Sequence, residues 1–195
     1  MVESSTLAGL TAEIVERRSV VAFDSRPIEA EKLQALIEAA RWAPSSSNRQ
    51  PWRITMVRGG ASRDGLNAAL AGGNRTWAPN APLLVVFATA APDPERPGQL
   101  AKLMLDVGFA GQNMMLEAVH QGLRVHPMAG WDEDKVKAAL DIPGENAVAF
   151  VLAVGYGGDI NDLAEDVRPK ETRERVRNDV GENFFDGKFG VAWSG

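Results

Sequence analysis

Between two prolines, the stretch Pro44-Ser45-Ser46-Ser47-Asn48-Arg49-Gln50-Pro51 carries only hydroxyl, amide and guanidinium side chains. The prolines restrict its path, so its donors and acceptors suit a polyhydroxylated or heterocyclic ligand. Taken alone, the same stretch also serves as a polar helix-to-strand connection. Two basic groups stand out against an acidic background: Arg17-Arg18-Ser19, and Arg173, Arg175 and Arg177 near the C-terminus. Guanidinium groups grip phosphate oxygens in a fork, so the two groups together could hold a phosphate. Solvated surface charge is the alternative for either one alone. A third segment, His126-Pro127-Met128-Ala129-Gly130-Trp131-Asp132, follows an apparent short strand, precedes a helix and could turn backbone amides toward a ligand edge. The chain has no cysteine, and His120 and His126 are its two imidazoles. Thiol chemistry and histidine-rich metal cages are excluded, no acidic cluster has calcium-loop spacing, and no Ser/His/Asp set or P-loop is present. The reactivity must come from something the chain binds.

The elements that would hold these segments follow from periodicity. At 195 residues, 45% hydrophobic, the chain is expected to form one compact domain over 1–195. Its formal charge of -5 argues against a nucleic-acid binder with a wholly basic surface. No apolar run reaches the roughly 20 residues of a membrane span, and the acidic N-terminus is unlike a secretory signal, so no membrane partner and a cytoplasmic location are expected. Leu7, Leu10, Ile14 and Val15 predict a first helix that ends at Arg17-Arg18-Ser19. Leu33, Leu36, Ile37 and Ala40 predict a second from Glu29, stopped by Pro44. Strands are expected over Trp52 to Val57, Leu83 to Ala88 and Ala147 to Val154, the last ended by Gly155, Gly157 and Gly158. Helices are expected over Ser62 to Leu70, over Leu100 to Leu123 with most faces buried, and after an Asp132 cap through Leu140. From about residue 160 to 195 the charge-dense then aromatic composition suggests an arm that packs outside the main body, on a partner subunit.

In this order the residues resemble a known family. Arg17-Arg18-Ser19-Val20 with Phe23, Ala43-Pro44-Ser45-Ser46 with Asn48, Gln50, Pro51 and Trp52, and Pro127-Met128-Ala129-Gly130-Trp131-Asp132 are similar to the flavin-dependent nitroreductases across nearly the whole chain. The resemblance implies an α+β fold, a three-layer α/β/α sandwich with a central mixed sheet. It also implies an intertwined homodimer with FMN at the subunit interface, NAD(P)H as electron donor and a small-molecule electron acceptor such as a nitroaromatic or quinone. Residue by residue, it assigns Arg17, Arg18 and Ser19 to the flavin phosphate and ribityl chain. Arg175 and Arg177 complete the phosphate site, with Arg173 as the substitute. Pro44, Ser45, Ser46 and Asn48 reach the flavin from the second subunit, Asn74 reads the isoalloxazine, and the backbone of Pro127, Met128, Ala129 and Gly130 lies beside the ring. No side chain is assigned as catalytic, since the flavin carries the chemistry.

Three positions depart from the pattern. Two residues after Ser19, where relatives carry a cation near the flavin N1 and O2 edge, this chain has Val21. Ala129 stands where some relatives have an acid, and Asn178 and Asp179 follow Arg177 where a proline is common. Arg18, Arg53 and Arg75 are the candidates to replace the missing cation. His126 could donate a proton to the flavin or serve as a strand-end structural residue. Two other readings remain at this stage, a flavin-storage protein with little turnover and a specialised dehydrogenase or dehalogenase relative. For the latter, the stretch from Ala91 to Gly98 is short for a substrate lid.

Overall fold

The computed structural model describes residues 9–193. They form two compact units, one of residues 11–172 and one of 9–10 with 173–193. The larger unit opens with helix α1 (Ala12–Glu16) and strand β1 (Phe23–Asp24). It continues through α2 (Ala30–Arg41), β2 (Trp52–Val57), α3 (Gly60–Ala69), α4 (Gly72–Arg75) and β3 (Leu83–Thr89). Next come α5 (Gln99–His120), β4 (Arg124–Met128), α6 (Glu133–Leu140), β5 (Val148–Gly157) and α7 (Arg168–Glu171).

Every residue of β3 is buried, because a strand sends alternate side chains to opposite faces and both faces here are covered. Leu83, Val85 and Phe87 join Leu152 and Val154 under α2 and α5. Leu84 and Val86 join Val151 and Ala153 on the side of Leu66 in α3 and Val136 in α6. The result is the expected three-layer sandwich. The sheet has five strands in the order β1-β5-β3-β2, with β4 also on β5. Its ladders are antiparallel, and among the described residues parallel pairing enters at one bridge, Ser19 to Val125.

Several boundaries differ from expectation for physical reasons. The first helix begins at Ala12; Gly9 and Leu10 precede it in a turn and a bend, and Leu7 lies outside the described residues. Strand β5 does not end at Gly155 but runs on to Gly157, because β1 pairs with that extension. The glycine is there for close approach: a Cβ on Gly155 would lie 2.5 Å from Pro82 Cδ and 3.2 Å from Phe23 Cδ1. Gly155→Ala is expected to cost about 1–3 kcal/mol by overpacking, measured by denaturant unfolding. His126, Pro127 and Met128 lie within β4 and do not follow it. Helix α5 is not buried on most faces. It buries Leu103, Val107, Ala110 and Met114 but leaves Leu105 57% and Phe109 41% exposed, one turn apart on the same side. The segment from 160 to 172 belongs to the sheet-bearing unit, where Leu163 and Val167 are buried in the core.

The smaller unit carries α8 (Val180–Asn183) and a tight closure in which the Asp186 amide donates to Val191 and the Trp193 amide to Phe184. The Phe185 and Phe189 rings sit 4.8 Å apart, and Phe189 is 94% exposed.

Candidate functional site

The Arg17–Ser19 element meets the sheet where Ser19 bridges Val125 of β4 and the Val20 amide donates to the Val125 carbonyl at 3.3 Å. The chain then moves from β4 to β5, pairing at Phe23 with Gly157. Between those pairings the amides of Val21 and Ala22 donate to one carboxylate oxygen, Oε2 of Glu171, at 2.6 and 2.9 Å. A guanidinium nitrogen of Arg18 donates to the Glu171 carbonyl at 3.1 Å. The exposed Lys170 ammonium lies 3.5 Å from the Gly73 carbonyl oxygen, long for a hydrogen bond.

Asn74 sits in α4 immediately beyond Gly73, and its Nδ2 donates to the Gly130 carbonyl at 3.2 Å. The same carbonyl accepts from the Ala71 amide at 3.0 Å, which holds the end of β4 against the α3–α4 turn. A Cβ on Gly130 would come within 2.9 Å of Ala71 Cβ and 3.5 Å of Asn74 Nδ2, so a bare backbone is needed there. Met128 is buried, Ala129 exposed and Pro127 half-buried beside Leu152 of β5. The structure therefore gathers Arg17, Arg18, Ser19, Asn74 and the 127–130 backbone on one wall.

His126 ties two parts of that wall together. Its Nδ1 lies 2.7 Å from the Val20 carbonyl oxygen, and its ring packs 4.4 Å from the buried Trp77 ring. A carbonyl only accepts, so Nδ1 carries the proton, and the neutral ring keeps Nε2 as an acceptor. Burial pushes the imidazole below its ordinary pKa, opposed by the Val20 carbonyl and Glu171 and reinforced by Lys170 and Arg17. A histidine whose folded pKa is depressed contributes stability above its unfolded pKa of about 6.5 and loses it as pH falls through the folded value. The parent chain is expected to lose unfolding free energy just below pH 6.5, and His126→Gln to flatten that decline. An unchanged slope would remove His126 as its source.

The Pro44–Pro51 loop is built elsewhere. It has three non-glycine residues at positive φ, Ser47 at 54°, Asn48 at 53° and Gln50 at 49°. This is a conformation that L side chains adopt at some cost. The loop is held by Ser45 Oγ, which accepts from the Gln50 amide at 3.0 Å, and by Asp106, whose carboxylate accepts from the Ser46 amide at 3.2 and 3.3 Å. Asp106 was not anticipated, and neither was Glu171. Asp106 is an acid on the buried stripe Leu103, Asp106, Val107, Ala110, and that misplaced charge was the available signal. Glu171 lay hidden in a charge-dense run.

The loop and the Arg17–Ser19 element occupy opposite corners of the sheet. The loop enters β2 at one edge, and Ser19 lies outside β4 at the other. With strands about 4.8 Å apart, that is ~19 Å across the sheet. Register adds roughly 20 Å along it, since Trp52 faces Thr89 beyond the Ala88 to Val148 pair while Ser19 is level with Val154. Arg175 and Arg177 lie in the smaller unit, where a guanidinium nitrogen of Arg177 donates to the Val176 carbonyl at 2.7 Å. Among the described residues there is no group of His, Cys, Asp and Glu that could hold a metal ion, and no helix long and apolar enough to cross a membrane.

The wall combines cations at one end, an amide and strand-end backbone at the other, and an aromatic pair behind. That donor set fits a ligand with a phosphate and a flat heterocycle. Residues 14–76 and 69–156 match the model of the nitroreductase family. The NADH dehydrogenase of Thermus thermophilus is 29% identical over 175 residues, covering 73% of this chain and 83% of its own. Protein DrgA of a Synechocystis species is 30% identical over 172 residues, covering 73% of this chain and 81% of its own. Among solved structures, an oxidoreductase containing FMN superposes with a TM-score of 0.84 at 29% identity over 93% of each chain. A nitroreductase family protein from Clostridium novyi NT shares the fold, with a TM-score of 0.69 and 22% identity over 93% of this chain and 94% of its own.

Proposed function

The chain belongs to the nitroreductase family, and from that premise we propose that it is an FMN-dependent NAD(P)H oxidoreductase. It would pass electrons to a nitroaromatic, quinone or similar conjugated acceptor. The observation that carries this reading is the single wall joining Arg17, Arg18 and Ser19 to Asn74 and the 127–130 backbone. Bound FMN supplies a centre that takes a hydride equivalent from a nicotinamide and yields two electrons to a second ligand. The protein's own residues bind and orient. Arg17, Arg18 and Ser19 hold the phosphate end, and the family resemblance names Arg175 and Arg177 as further cations for the same phosphate. Asn74 fixes the ring edge, and Gly130, lacking a side chain, lets the backbone come close. His126, with its proton committed to Val20, is structural in this account.

The active form is a homodimer. One copy holds the Ser45–Asn48 loop and the Arg17–Ser19 element too far apart for one flavin to meet both, so the loop serves the site of the second copy. Leu105 and Phe109 on α5, with Trp42 at 75% exposure after α2, supply apolar surface for that contact. The exposed aromatics of the arm supply more. Donor and acceptor take turns at one face, which predicts ping-pong kinetics. Initial rates with NADH or NADPH against a quinone should give parallel double-reciprocal lines, whereas intersecting lines would contradict alternate occupancy. Sedimentation should give twice the 21.0 kDa chain mass; a monomer that retains flavin would refute the shared site.

A further inference from the structure

Val21, where the family resemblance implies a cation, is a buried valine, and a cation approaches the same wall from another segment. Lys170 approaches α4 beside Asn74, with its ammonium 3.5 Å from the Gly73 oxygen. Its segment is held at both ends. On one side Val167 is buried, and the Arg168 guanidinium donates to the Leu163 and Asn161 carbonyls at 3.1 and 3.2 Å. On the other, Glu171 takes the Val21 and Ala22 amides on one oxygen and Arg18 on its carbonyl. Those two amides fall in the crossover between β4 and β5, so a side-chain acceptor is what satisfies them. The same carboxylate thereby binds α7 to the element that follows Arg17 and Arg18.

We propose that Glu171 is a positioning residue that holds Lys170 beside Asn74, where the ammonium supplies the positive charge missing at Val21 and so stabilises the reduced flavin. This rests on the reading that the site binds FMN. The electrostatics around His126 place the same groups together, since Lys170, Arg17 and Glu171 all act on its ring. A nearby cation favours the anionic reduced form over the neutral oxidised one, so it raises the two-electron potential.

The test is the midpoint potential of bound FMN in the full-length protein and in the variants Lys170→Met, Glu171→Ala and Glu171→Gln, with melting temperature and FMN content alongside. Lys170 is exposed, so Lys170→Met keeps the fold while removing the charge. It should weaken binding of reduced FMN about tenfold more than oxidised FMN, a fall of about 30 mV for a two-electron couple. Glu171→Ala should lower the potential in the same direction although Lys170 is still present. Glu171→Gln keeps an oxygen for both amides and should hold the potential at or above that of the parent. If Glu171 served only the fold, Glu171→Ala would lower the melting temperature and leave the potential of the remaining bound FMN unchanged. If it acted only as a charge, both Glu171 variants would raise the potential. Either result overturns the proposal, as does an unshifted Lys170→Met. Failure of the parent protein to bind FMN would overturn the flavin reading, and this inference with it.

Discussion

Arg17→Gln combined with Arg177→Gln is expected to yield a folded protein that purifies without flavin. Each guanidinium would give charge-assisted hydrogen bonds to the phosphate, and losing one such contact costs about 1.5–3 kcal/mol. The pair should weaken FMN binding by roughly 10²–10⁴-fold. Riboflavin, which has no phosphate, should lose little affinity. Titration of the apoprotein by flavin fluorescence measures both, and circular dichroism checks the fold. Retained FMN in the double variant would refute the phosphate assignment. A loss confined to Arg17→Gln would point to a different second cation, for which Arg173 is next in line.

The second large effect concerns stability. Arg63 is buried in α3, and its guanidinium donates to the carbonyls of Val57, Ala78, Pro79 and Ala81 at 3.3, 3.2, 3.3 and 2.6 Å, and to Asn67 Oδ1 at 3.2 Å. Burial pushes its pKa below the ordinary arginine value, opposed by Asp64, yet the group is satisfied by four main-chain oxygens. Those carbonyls belong to the end of β2 and to the turn that feeds β3. Arg63→Met is expected to destabilise the fold by about 3–5 kcal/mol, because it removes the donors and leaves several buried acceptors unpaired. Arg63→Lys should lose less, since an ammonium reaches fewer of the oxygens. Urea unfolding measures both. A cost below about 1 kcal/mol for Arg63→Met would mean that water replaces the guanidinium. Because none of its hydrogen bonds goes to Arg17–Ser19, Asn74 or the 127–130 backbone, FMN affinity of the folded fraction should stay the same.

Arg63 also marks the boundary of what the sequence discloses. The strand over Trp52–Val57 matches its expected span, as does the Asp132 cap, whose carboxylate accepts from the Lys135 amide at 3.2 Å. These features are local: alternation, apolar runs and a capping residue just before a helix. Arg63, Asp106 and Glu171 are different, because each serves backbone groups 6 to 150 positions away in the chain. Periodicity reveals only that Arg63 and Asp106 sit on buried stripes. It does not reveal their partners. Strand β1 has two residues and carries no periodic signal, and the extension of β5 past Gly155 becomes visible only with Pro82 and Phe23 in place.

The candidate site was legible to a similar degree. Ser19 meets β4 at Val125 and Asn74 meets Gly130 at the α3–α4 turn; the resemblance names these residues, but no local pattern in the sequence pairs them. The separation of the Ser45–Asn48 loop from that wall follows from sheet order, which no local pattern encodes. Lys170 and Glu171 carry no local signal, because they sit in a charge-dense run and their partners Gly73, Val21 and Ala22 lie 97 to 150 positions away in the chain.

One spectrum tests flavin binding and its reduction most directly. Purified, desalted protein should show flavin absorbance between 300 and 600 nm, and anaerobic addition of NADH or NADPH should bleach it, which identifies the donor. A chain that shows no flavin band even after reconstitution with FMN would contradict the account at its centre.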